Sequence, residues 1–492
     1  MKIHLIGAAC LSSVLLLAQA GRAEGSFSAT GVEADGASGA VQAQDAKAME
    51  SVSTARIVRL SLVQGTAQLD RNTGRGFEPA FANIPILEGL KLRTQFDGLA
   101  EVEFEDNSTL RLTPGTVVSF DQLGRSATGA TLTRVRVERG TAYVALQKSK
   151  ANVFTLVDEQ TAMELAPGSR VRLQAMKPNA ELAVFDGSVR VASPSDPAVV
   201  IGKKDTLVFD PAAQTVASVD HRTDAQKYDD WDKNEAQYHT QRASFTGSSG
   251  MGMYGVNDLM YYGTFANLPG CGMMWQPYFV SAAWDPFGSG LWAWYPGMGY
   301  SWVSPYPWGW LPFHAGMWQM CGAAGWAWNP AGAWYGVNNT GLLTASGVKR
   351  VAPHVPEAGK SMLVPVNAMA LKSSGLEGEG TFVFRKDSAG MGVPRQVFGN
   401  LQSASAEVRL NEGARMPVML QARPAKGGSA AGPGLVSMVP VRPAYGRAEE
   451  GGRSQGMSEG SSARSLAMPN ARSTSPSTTM PAPASPPPAP HH

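Results

Sequence analysis

The chain has 492 residues, and its 42 Lys+Arg against 40 Asp+Glu leave a formal net charge of +2. That length calls for two or three units of ordinary domain size, and so even a charge balance provides no basic field for holding nucleic acid. With 54 Gly and 33 Pro but 43% hydrophobic residues, the chain is rich in turns yet able to fill a core, which excludes a highly charged disordered polymer.

The first element is a targeting segment. Lys2 and His4 precede the apolar run Leu5 to Leu17, and Ala18-Gln19-Ala20 supplies small residues where a signal peptidase reads. The run is shorter than the roughly 20 residues a membrane-spanning helix needs, so residues 1–23 read as a cleaved secretory signal. Cys10 raises a lipoprotein alternative, against which Gly7 stands where such a signal wants Leu. No second long apolar run follows, so no integral membrane segment is expected after cleavage, and the location is periplasmic or secreted. Residues 24–54 are Gly-, Ala-, Ser- and Gln-rich and read as a flexible N-terminus.

From residue 55 to 220 the pattern is all-β. Val58-Arg59-Leu60, Ala100-Glu101-Val102-Glu103-Phe104, Thr109-Leu110-Arg111-Leu112, Val135-Arg136-Val137 and Val171-Arg172-Leu173 alternate apolar and polar residues, so each run can bury one face and wet the other. Turn pairs such as Glu88-Gly89, Asp97-Gly98, Pro114-Gly115, Arg139-Gly140 and Asp186-Gly187 punctuate them. The stretch Leu87-Glu88-Gly89 with Leu92 and Thr94, then Gly98 through Leu112, resembles the central signature of FecR domains. Val137-Glu138-Arg139-Gly140-Thr141-Ala142 and Phe185-Asp186-Gly187-Ser188-Val189-Arg190-Val191 are similar to that family's two glycine-turn strands. The resemblance implies a β-sandwich or solenoid-like fold and an extracytoplasmic, non-catalytic role in binding a ligand or protein. In the best-known members the domain is the periplasmic part of an anti-sigma regulator. This sequence carries no stretch resembling the sigma-binding helices or the membrane helix of that plan, so transmembrane signalling is not expected.

Residues 221–245 lack Gly and Pro and read as a connecting helix with Tyr228, Trp231 and Tyr238 on one face and Asp229, Asp230 and Asp232 on a solvated one. A Gly/Ser linker follows at 246–252.

Eleven of the twelve tryptophans lie between Trp275 and Trp334. Gly263-x-Phe265 precedes Trp275, Gly290-x-Trp292 precedes Trp302, and Gly316-x-Trp318 precedes Trp328, each with ten residues from the first aromatic to the Trp and a period of 27 and then 26. Residues 253–340 therefore read as antiparallel β-hairpin repeats, with Trp292 opposite Trp302 and an aromatic ladder laid against the next unit. The rings are either the core of small units or a platform for sugars or a cation, whose candidates are Trp292, Trp294, Trp302, Trp308, Trp310 and Asp285, with Gln276, Gln319 and Asn329 beside them. The block resembles a Trp-rich domain of unknown function that follows FecR domains in exported proteins. Cys271 and Cys321 fall in the turns of copies one and three, about four strands or roughly 19 Å apart in a flat meander, which argues against a disulfide unless the sheet curls.

Residues 341–424 hold weaker β segments, such as Ser361 to Val366 and Thr381 to Phe384, that could complete the sheet or form a small extra unit. Residues 425–492 read as a disordered Pro/Ser/Gly-rich tail. No nucleophile elbow, phosphate loop or metal spacing occurs, so no catalytic residue, metal or cofactor is expected, and no pair of carboxylates is singled out for glycosidase work. The reading is a non-enzymatic exported binding or scaffold protein whose partner is an envelope protein or glycan. The alternative is a cell-wall or polysaccharide-binding module with exposed Trp residues.

Overall fold

The computed structural model describes residues 56–417 except 193–197, 214, 244–254, 346–350, 358–359, 361, 368–380 and 396–399. The expected signal segment 1–23, the N-terminal stretch 24–54, the linker 246–252 and the tail 425–492 lie outside the described residues. The fold is mostly β, with four α-helices among the described residues: Asp229–Ala243, Val256–Tyr262, Thr340–Ala345 and Leu401–Leu410.

Alternation in the first half does what the period of two requires. Val58, Leu60, Ala100, Val102, Phe104, Leu110, Leu112, Ala142, Val144, Val171 and Leu173 all point into one core. The strands form two layers, and Phe104 of one meets Phe154 of the other edge to face at 5.3 Å. One long strand, Thr131–Ala145, belongs to both layers. Its first part pairs with Val117–Arg125 and runs parallel to Asn152–Asp158, while its second pairs with Thr109–Leu112 and Arg170–Ala175. The strand changes layers at Gly140, where φ is 89° and a Cβ would stand 2.6 Å from Thr116. Only glycine satisfies both demands.

The Trp-rich block contains three hairpins: Gly263–Leu268 with Gly272–Pro277, Gly290–Tyr295 with Gly299–Val303, and Ala315–Met320 with Trp326–Trp334. Trp292 faces Trp302, as the spacing requires. The repeat has a steric cause. In each hairpin the Trp ten residues after the first aromatic lays its indole over the backbone of the glycine that opens the motif. A Cβ would lie 2.4 Å from the Trp275 ring at Gly263, 2.3 Å from the Trp302 ring at Gly290, and 2.6 Å from the Trp328 ring at Gly316.

The hairpins do not lie side by side in chain order. The first and third share a four-stranded sheet in which Trp275 faces Trp328. The second leaves it, gains Leu363–Val366 as a third strand, and inserts Leu291, Ala293, Tyr295 and Val303 into the core of the first domain. The Tyr295 hydroxyl donates to the Pro85 carbonyl at 2.6 Å, and Arg71 donates to the Trp294 carbonyl at 2.8 Å. A small ribbon, Thr381–Phe384 with Ala414–Pro417, ends the described chain.

This order overturns the expectation about the cysteines. With copy two removed to its own sheet, the turns of copies one and three become neighbours, and Cys271 is bonded to Cys321 with Cα atoms 6.0 Å apart. The bridge closes a loop with a sequence separation of 50. Replacing both cysteines by serine is expected to lower the unfolding free energy by about 2–4 kcal/mol, read from denaturant midpoints without reductant.

Candidate functional site

The most unusual chemistry lies on the outer face of the first domain. The residues that alternate with its core positions are polar, and the simple reading of alternation makes them wet. They are instead buried. Arg59 stands opposite Glu103, and a straight row runs Glu101–Arg111–Tyr143–Arg172 across four neighbouring strands. All six side chains are at most 1% exposed.

The connecting helix Asp229–Ala243 covers them, and it does so with its charged face. Asp229, Asp232, Glu235 and His239 follow a three-three-four spacing that places them on one side. Arg172 donates to Asp229 at 2.8 Å and to Glu181 at 2.8 Å, and the Tyr143 hydroxyl donates to Asp229 at 2.8 Å. Arg111 bridges Glu101 at 2.8 Å and Asp232 at 2.7 Å, and Arg170 reaches Asp232 at 2.8 Å. His239 Nε2 lies 3.0 Å from Glu101. The expected solvated face at Asp229 and Asp232 is therefore the docking face, because their charges meet arginines placed opposite them; only Asp230 of the three is exposed.

Two further elements close the cluster. Asp258, on the helix that opens the Trp-rich block, accepts from Arg59 and from the Tyr238 hydroxyl. Arg395, more than a hundred residues away in sequence, donates to Glu101 at 2.6 Å and to the Ser61 carbonyl at 3.0 Å, and pairs with Asp258 at 3.2 Å. Burial alone would push the Glu101 carboxyl up, but the charges of His239, Arg395 and Arg111 outweigh it and hold the group well below the usual carboxylate range. The arrangement ties the connecting helix, the next helix and Arg395 to the sheet through buried ion pairs. Among the described residues no group of three or more His, Cys, Asp or Glu is placed to hold a metal.

The expected ligand platform is not built. Trp292, Trp302, Trp308 and Trp310 are buried, and Trp294 is half-buried. Trp308 alone touches Trp275 at 4.9 Å, Tyr306 at 5.0 Å and Trp318 at 5.8 Å, ring centre to ring centre. These rings are the core, since such short units have little else to bury. Asp285 accepts from the Phe287 amide at 2.9 Å and closes a turn. Gln276 donates to the Ala324 carbonyl at 2.6 Å, and Asn329 caps the Ala331 amide at 2.9 Å. His314 stacks on Trp310 at 3.8 Å, and burial lowers it to about 4 against the pull of the Trp310 carbonyl, so it is neutral at ordinary pH.

The two-layer β domain and the Trp-cored block each match a family. Residues 91–190 match the family described as FecR protein, and residues 256–346 match a family of unknown function, DUF6600. Among curated proteins none matches the chain. Two solved structures of a candidate anti-sigma factor from Parabacteroides distasonis are similar in part. One is 17% identical with a TM-score of 0.24 over 29% of this chain, and the other is 15% identical with a TM-score of 0.25 over 32%. The chain spans 63% of the first and 74% of the second. Among the described residues no helix is long and apolar enough to cross a membrane.

Proposed function

We propose that the protein works outside the cytoplasm as a non-catalytic binding or scaffold protein that offers its FecR domain to a protein partner of the cell envelope. One observation carries the reading. The FecR domain and the Trp-rich block share a core and a buried charge cluster, so a contact made on one is felt by the other. The Cys271–Cys321 bond supports export, because disulfides persist in oxidising compartments and are rare in the cytosol. The buried indoles speak against a sugar platform and leave protein contact as the better use.

The test is fractionation of the full chain expressed with a C-terminal tag in a Gram-negative host. The expected product is extracytoplasmic, shortened by about the length of the signal segment, and shifted on a non-reducing gel relative to a reduced sample. An unprocessed cytosolic product with free thiols would overturn the reading.

A further inference from the structure

A strap of chain, residues 385–395, lies beyond both matched regions, 91–190 and 256–346, yet it runs through a groove whose walls those regions build. The groove grips main chain. Trp308 Nε1 donates to the Ala389 carbonyl at 2.6 Å, the Tyr262 hydroxyl to the Val393 carbonyl at 2.7 Å and the Tyr261 hydroxyl to the Pro394 carbonyl at 3.1 Å. The Ala389 amide in turn donates to the Phe279 carbonyl at 3.1 Å. Bonds to carbonyls and amides read no side chain, which is how a groove holds a peptide of loosely defined sequence.

One pocket at the end of the groove reads a side chain, and it is built for arginine. Arg395 Nη1 donates to Glu101 at 2.6 Å and stands 3.8 Å from Glu235, while Nη2 donates to the Ser61 carbonyl at 3.0 Å and pairs with Asp258 at 3.2 Å. The guanidinium also lies over the Tyr238 ring, 5.1 Å from its centre. Acceptors along two edges of a plane and an aromatic face beneath it fit the fork of arginine and not the point charge of lysine.

Two features make the strap exchangeable. Ala389 is fully buried at a φ of 48°, a left-handed conformation that strains a residue carrying a Cβ, and such strain gathers at clamps and switches. Arg395 is also the cluster's most dispensable cation, because Glu101 keeps Arg111 at 2.8 Å and Asp258 keeps Arg59 when it leaves. Glu235 then meets the water or the cation that takes its place. The flanks stay anchored on Phe279, whose ring stacks on Phe384 at 5.5 Å and whose amide donates to the Ser405 hydroxyl at 2.9 Å.

We propose that this groove is a peptide-binding site, filled by the chain's own Val393-Pro394-Arg395 and the residues before it, and opened to a partner's segment that carries an arginine after a short apolar stretch. The three carboxyls of the pocket select the cation, and the main-chain bonds accept the rest. The inference rests on the reading that the partner is a protein and names what that protein must present. Its failure would leave that reading standing, since the fractionation above does not involve the groove.

The probe is a synthetic peptide of residues 385–395, amidated at its C-terminus and isotopically labelled so that it is told apart from the chain's own copy. It is added to the full chain up to about 5 mM, the order of effective concentration a short tether provides. Hydrogen exchange read by mass spectrometry should show the chain's amides at 389–395 exchanging about tenfold faster with the peptide than without it, and those of the hairpin 290–303 unchanged. The same peptide carrying Arg395→Ala should leave the exchange as it was, and Arg395→Lys should act more weakly than the parent. Unchanged exchange of the strap with the parent peptide, or equal action of the Arg395→Ala peptide, overturns the proposal. The chain alone gives a second reading, since a strap that exchanges must open at a lower free energy than the hairpin does. Equal protection of the two would make residues 389–395 fixed core and sink the inference.

Discussion

Arg111→Met is expected to cost about 3–5 kcal/mol, the range for stranding partners of a buried ion pair, and to leave too little stability for an ordinary fold at 37 °C. Arg111 is fully buried and holds Glu101 at 2.8 Å and Asp232 at 2.7 Å. Burial on its own would favour the neutral guanidine, but the charges of Glu101, Asp232 and Glu235 outweigh it and keep the group charged. Methionine fills most of the space and supplies no charge, so two carboxylates on two elements lose a common cation. The Asp232→Asn change alone should cost less, because Arg111 keeps Glu101. Combining Arg111→Met with Asp232→Leu should recover part of the loss, since an apolar replacement removes the stranded charge with its partner. Denaturant midpoints of the three variants decide the matter. Equal losses in all three would mean that the side chain matters for packing and not for charge.

The sequence told much about the strands and little about what covers them. Alternation in Val171-Arg172-Leu173 and Ala100 through Phe104 located strands and their inner faces, because the period of two is a local property. Glycine-to-Trp spacing located the hairpins for the same reason. Alternation says only that two faces differ; that the polar one is wet is an assumption, and Arg59, Glu101, Arg111 and Arg172 break it. A signal was available. Acid and base alternate between neighbouring strands, and the acids of the next helix recur at three and four residues on one side. Arg395 had no such signal, since nothing local ties it to Glu101. The disulfide is disfavoured only while the repeats lie in chain order; the second hairpin instead sits in its own sheet, with Leu291, Ala293, Tyr295 and Val303 in the FecR core and Trp292 and Trp302 in the Trp core.

The hairpin glycines offer a sharper test of that packing. Gly263→Ala and Gly290→Ala are each expected to cost about 3 kcal/mol or more, the upper part of the range for overpacking a filled core. At Gly290 the atoms in the way belong to the Trp302 indole, the nearest 2.3 Å from the new methyl. A flexible neighbour would swing aside, but Trp302 is fully buried, holds Trp292 at 5.2 Å and has its amide bonded to Asn339 at 2.8 Å. At Gly263 the obstruction includes the Gln276 carbonyl at 2.3 Å, so the paired strand itself must move. Neither glycine has positive φ, so the cost is steric and not conformational. Gly124→Ala is the control, a strand glycine with nothing within 4 Å, and should change stability by less than about 0.5 kcal/mol. The two variants should also differ in kind. Gly290→Ala loosens the hairpin that carries Tyr295 into the FecR domain, so proteolysis should separate the two domains. Gly263→Ala opens the sheet that the Cys271–Cys321 bond ties, so its damage should deepen sharply with reductant while that of Gly290→Ala does not. Similar responses to reductant would mean that the hairpins do not occupy separate sheets.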